Sequence, residues 1–130
     1  MIVFIDSGVL GLLTHSKKAG KPADCKDWLY SLLSKDVYVV SSHICDYEVR
    51  RSLLLESVKK NSFNSLDNLH ELRNVIDFLN LDTEVMLAAS QIWVETRKIG
   101  KQTADNYNID VDIIILAHWQ LKKNNIRAVI

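Results

Sequence analysis

Three short, largely apolar runs, MIVFI (1–5), VYVVS (37–41) and IRAVI (126–130), are separated by longer stretches with apolar residues at helical spacing. A five-residue apolar run is too short for a helix, but it suits a strand buried on both faces of a parallel sheet. Strands alternating with helices in this way point to a parallel sheet covered by helices on both faces. The spacing predicts a short helix over 7–14, closed by the polar loop HSKKAGK. Pro22 suits the first turn of a second helix, whose apolar stripe is Trp28, Leu29, Leu32 and Leu33. Ser41 or Ser42 can cap a third helix running to about position 56, followed by SVKKNSFNS as a loop and a fourth helix over 66–76. Residues 77–81 are expected as a short edge strand. Asp82 caps a long amphipathic helix through Lys98, ended by Gly100; KQTADNYN is then a loop, and the last helix runs from 110 to about 123.

At 130 residues the chain is expected to be one domain with a single sizeable core. Hydrophobic residues make up 48% and charged residues 25%, which excludes a disordered chain. Sixteen basic residues balance sixteen acidic ones, so any nucleic-acid contact must come from local basic patches and not from a global field. No apolar run approaches the length of a membrane span, and the opening run is too short for a signal peptide. Cys25 and Cys45 have no CxxC neighbour and read as reduced core thiols of a cytoplasmic protein.

Against this ordinary background three carboxylates stand out. Burying a carboxylate costs several kcal/mol unless something pairs with it, and a divalent cation is the partner that needs several at once. Asp6 directly follows the first strand, at the carboxyl end where parallel sheets bind their ligands. It can cap the following helix, but Ser7 could do so equally well. Glu48 lies on the apolar side of its helix, between Ile44 and Leu55 and near Cys45 and Ser52, while Asp46 and Arg50 form an i,i+4 pair on the side expected to face solvent. A pair with Arg51 is the simplest structural alternative for Glu48. Asp112 opens a helix that is apolar on nearly every side, and the helix dipole alone would stabilise it there. Asp110 directly precedes that apolar run and is the better capping residue. The four histidines show no paired metal spacing, and His118 reads as a hydrogen-bonded core residue. The three tryptophans fall on apolar stripes. Neither Gly8 nor Gly11 completes a phosphate-binding glycine motif.

In order and spacing, FIDSGVL, the helix with DYEVRR and the late IDVDIIILAHW resemble the PIN domain, the fold of VapC-type toxins and related small ribonucleases. The resemblance covers nearly the whole chain. It implies a three-layer α/β/α sandwich with a central parallel sheet and a Mg²⁺- or Mn²⁺-dependent ribonuclease. By the family pattern Asp6 matches the first acid, Glu48 the second and Asp112 the third, with Asp110 a less regular extra acid and Ser7 the small hydroxyl residue after the first. Family members usually continue past the strand matching IRAVI into a loop that supplies a fourth acid and then another strand. The chain is therefore expected to lack that C-terminal loop and strand, and with them the fourth carboxylate.

The chemistry asks for such residues. Mg²⁺ keeps an octahedral oxygen shell made of a few carboxylates and several waters. Bound metal polarises a phosphodiester, stabilises the leaving oxygen and activates an attacking water; the resemblance implies 5′-phosphate and 3′-hydroxyl products. Phosphate contacts would come from Arg50, Arg51, Lys59 and Lys60, on or just beyond the Glu48 helix, although a solvated basic face explains these residues as well. The expected substrate is RNA. The implied protein partners are a small antitoxin and a second copy of the chain, and no membrane is involved. A non-catalytic PIN-like module that binds RNA or a protein partner is the alternative.

Overall fold

The first apolar run is a strand for the reason expected of it: Val3, Phe4 and Ile5 are all buried, on both faces of the sheet. The computed structural model of the protein describes residues 2–100, 110–122 and 126–129. Its elements are β1 (Ile2–Phe4), α1 (Ser7–Thr14), α2 (Lys21–Ser34), β2 (Tyr38–Ser42), α3 (His43–Lys60), α4 (Asn64–Leu72), β3 (Asp77–Leu79), α5 (Thr83–Lys98), α6 (Val111–Lys122) and β4 (Ile126–Val129). The expected loop KQTADNYN lies outside the described residues.

All four strands run parallel, in the order β3-β2-β1-β4. Val3 sits opposite Val39 and Phe4 opposite Val40, so the apolar runs stack in register across the sheet centre. The chain leaves β1 for β2 on one side and returns through β4 on the other. The topological switch point therefore lies at the carboxyl end of β1, the place where open parallel sheets form their ligand crevice. Helices flank the sheet in a PIN-like three-layer α/β/α sandwich. α1 packs against α2, α3 and α4, while α5 and α6 form a pair. That pair is antiparallel, since the start of α5 shares a pocket with the end of α6 and the later turns of α5 share one with its start.

Helix ends follow local chemistry. The Asp82 side chain accepts from the Val85 amide at 3.0 Å, and Gly100 closes α5 with a positive φ of 74°. One expected boundary is wrong: SVKKNSFNS is not a loop. α3 continues to Lys60, the left-handed Asn61 ends it, and α4 starts at Asn64. The polar letters concealed a helical face, because Ser57 is buried and its hydroxyl donates to the Leu53 carbonyl one turn back. α4 is correspondingly earlier and shorter than 66–76.

Candidate functional site

The site grows from the first strand-to-helix turn. Asp6, not Ser7, caps α1: its Oδ1 accepts from the Val9 amide at 3.1 Å. Ser7 instead meets the Cys45 thiol of α3 without completing a full hydrogen bond, and its oxygen is buried and otherwise unpartnered among the described residues. Burial pushes the Cys45 thiol up. Contacts with Ser7, Ser41 and the Ser42 backbone oppose that rise, and the nearby Glu48 charge adds to it. Glu48 is thus placed by α3 beside the Ser7–Cys45 junction. Its carboxylate is half-buried and has neither hydrogen bond nor ion pair among the described residues. Arg51, its simplest structural partner, lies instead over the Tyr47 ring at 5.3 Å.

A second device fixes α3 relative to α6. Ser42 Oγ accepts from the Ile44 amide as the N-cap of α3, and it also bonds the buried His118 Nε2 at 2.8 Å. His118 packs against Phe4 of β1, with ring centroids 5.7 Å apart. Burial lowers its pKa; the nearby Asp82 charge opposes that and Lys122 reinforces it. The imidazole is therefore a neutral structural bolt joining β1, β2 and α6. The histidine was legible as a hydrogen-bonded core residue, but its partner on β2 was not.

At the start of α6 the two acids divide. Asp110 is buried and caps the helix, accepting from the Ile113 amide at 3.2 Å. Asp112 is exposed, with no hydrogen bond or ion pair among the described residues. It sits six residues before His118, about 9 Å along the helix axis. The contacts described above bring Asp6, Ser7, Cys45 and Glu48 into one neighbourhood, and none of them reaches Asp112.

The basic residues also divide. Asp46, expected on the solvated side of α3, is only 4% exposed. It holds Arg50 through two bonds of 2.8 and 3.1 Å, and Arg73 at 3.4 Å. Burial raises its pKa, but the Arg50 bonds and charge, with Arg73 behind them, outweigh that and hold the carboxyl below its usual range. Periodicity gave the i,i+4 pair but not its burial, which comes from the packing of α3 against α4 and β3. Arg50 is thereby engaged in the fold, with His70 against its remaining edge at 3.3 Å. Arg51, Lys59 and Lys60 are exposed on α3.

Carboxylate and hydroxyl oxygens are the donors that Mg²⁺ and Mn²⁺ prefer, and the buried, unpartnered Ser7 oxygen next to Asp6 fits such an oxygen-lined site. Among the described residues, however, no three His, Cys, Asp or Glu side chains lie close enough together to hold a metal ion. Nor is any described helix long and apolar enough to cross a membrane.

The sequence matches no protein-family model and no curated protein. The fold, in contrast, has a clear counterpart among solved structures. It is similar to a chain in the crystal structure of VapBC2 from Rickettsia felis bound to a DNA fragment from their promoter. The TM-score is 0.69 at 14% sequence identity, covering 95% of this chain and 83% of that one. At that identity the likeness establishes a common fold and nothing finer.

Proposed function

We propose that this chain is a metal-dependent endoribonuclease of the PIN type, acting as the toxin of a toxin–antitoxin pair or as a stand-alone RNA-processing enzyme. The observation that carries the reading is the unpaired, half-buried Glu48 carboxylate beside the turn that bears Asp6, at the switch point of the sheet. A carboxylate in that position has no structural task that the described contacts account for. The fold shared with the Rickettsia VapBC2 chain supports the class.

Asp6, Glu48 and Asp112 would hold Mg²⁺ or Mn²⁺, with Asp110 as a further ligand. Mg²⁺ keeps most of its waters and often takes only one or two protein carboxylates together with substrate phosphate, so a ready-made three-acid cage is not required. A cation held by these residues would supply charge stabilisation at the phosphodiester and make an attacking water more acidic. The Ser7 hydroxyl can donate to a phosphate oxygen, and Arg51, Lys59 and Lys60 would supply positive charge along α3 for the RNA backbone; Arg50 would act there only on leaving Asp46.

One observation favours the alternative of a non-catalytic RNA- or protein-binding module: the described acids are not gathered into a metal-sized group. The two readings separate in a single experiment. Mn²⁺-dependent cleavage of a mixed RNA substrate is expected for the wild type and is expected to vanish in Glu48→Gln at unchanged thermal stability. Equal cleavage by the two proteins refutes the ligand set. Wild-type protein that binds RNA without cutting it supports the module.

A further inference from the structure

The two acids nearest the switch point stand on separate elements, Asp6 on the turn after β1 and Glu48 on α3. The Asp6 cap ties its carboxylate to α1 alone, and Glu48 has no partner among the described residues, so neither holds the other in place. Cys45 lies between them. It is fully buried on the first turn of α3, three residues before Glu48 and thus about 60° from it round the helix. Its thiol meets Ser7 of the turn and, from β2, Ser41 and the Ser42 backbone. Ser41 in turn donates to the Ile5 carbonyl at 2.7 Å, and the Ile5 amide donates to the Val40 carbonyl at 2.8 Å. Ile5, Asp6, Ser7, Cys45 and Ser41 therefore close a ring of covalent and polar contacts around the turn, with the thiol as its link to α3.

We infer that Cys45 is a positioning residue for the candidate site, its thiol a wedge that fixes the Asp6 turn relative to the Glu48 carboxylate. Sulfur suits the place. A thiol is polarisable and both a weak donor and a weak acceptor, so one atom can face two hydroxyls and a backbone group together. Burial and the Glu48 charge keep it protonated, and a sulfur ligand is foreign to Mg²⁺. The thiol therefore acts through Asp6 and Glu48 and not by touching metal or RNA. An aliphatic side chain would fill the same space but leave the buried Ser7 hydroxyl facing hydrocarbon, and the turn would relieve that by moving away. The effect on catalysis rests on the nuclease reading above; the wedge rests on the contacts alone.

The test compares Cys45→Val with Cys45→Ser in the full chain. Without metal, amide hydrogen exchange at Ser7, Gly8 and Val9 is expected to quicken at least about fivefold in Cys45→Val and less than about twofold in Cys45→Ser, with α5 unchanged in both. Mn²⁺ affinity by calorimetry should fall at least about tenfold in Cys45→Val and stay within about threefold of wild type in Cys45→Ser. The kcat for RNA cleavage should fall with the affinity while KM changes less than about twofold. Valine is the better core residue, so a merely structural role predicts the opposite order, with Cys45→Ser the less stable protein and the weaker binder. Unchanged exchange at the turn in Cys45→Val, or Mn²⁺ affinity that tracks thermal stability across the two variants, overturns the proposal. A wild type that binds no Mn²⁺ and cuts no RNA refutes the nuclease reading instead, and the metal-free exchange then decides the wedge by itself.

Discussion

Replacing Asp46 by Asn tests the packing that aims the Glu48 helix. The substitution keeps the side-chain shape and removes the charge that two arginines share. Breaking a buried ion pair by removing one partner costs about 3–5 kcal/mol when the remaining charge is stranded. Here the side chains of Arg50 and Arg73 are 24% and 41% exposed, so both can recover part of their hydration. The Asn carbonyl also keeps one acceptor. The expected loss at pH 7 is therefore about 2–3 kcal/mol. With a urea slope of about 2 kcal/mol per molar for a chain of this size, the unfolding midpoint should fall by about 1–1.5 M. The pH dependence supplies the sign. The folded-state pKa of Asp46 lies below its unfolded value of about 3.9, so its contribution is complete above that value and disappears as pH falls through the folded pKa. The gap between wild type and variant should accordingly be full at pH 6–7 and close on acidification below about pH 4. A gap under about 0.5 kcal/mol at pH 7, or one that persists undiminished in acid, would refute the assignment of Asp46 as an ionised, buried anchor.

At the start of α6, Asp112→Asn should abolish Mn²⁺-dependent cleavage and move metal-free stability by less than about 0.5 kcal/mol, as for exposed sites without partners; a clear loss in a urea titration would give Asp112 a structural role. Asp110→Ala should cost about 0.5–2 kcal/mol as a lost cap and reduce activity less than Asp112→Asn does; equal collapse of activity at matched folding would make Asp110 a ligand. Asp6→Asn retains a good capping residue, so α1 should stay intact by circular dichroism while Mn²⁺ affinity falls by calorimetry; unchanged affinity removes Asp6 from the ligand set. Tyr38 donates its hydroxyl to Asp77, and that bond, with burial and the Asp77 charge, pushes its pKa up to about 12. The raised pKa means a stabilising contribution present below about pH 10 and lost as pH climbs towards 12, so spectrophotometric titration should find one tyrosine ionising late and Tyr38→Phe should remove it.

The architecture was legible because it depends on short-range pattern. Short, largely apolar runs named β1, β2 and β4, and the capping chemistry at Asp82, Asp110 and Gly100 placed helix boundaries to within a residue or so. The resemblance supplied the three-layer order. Legibility stopped where a side chain's role depends on which neighbour the fold brings to it. Either Asp6 or Ser7 could have capped α1, and the Cys45 thiol of α3, packed against Ser7, accompanies the choice of Asp6. Helical periodicity set Asp46 and Glu48 on opposite sides of α3, but it could not say that α4 and the turn bearing Arg73 would bury Asp46. Nor could it show that the stripe from Tyr47 to Val58, apolar enough for a core, would remain in solvent. A sequence fixes the angles round a helix axis. Which of those angles faces another element is decided by packing between segments far apart in the chain, as when Ser42 meets His118 seventy-six residues later.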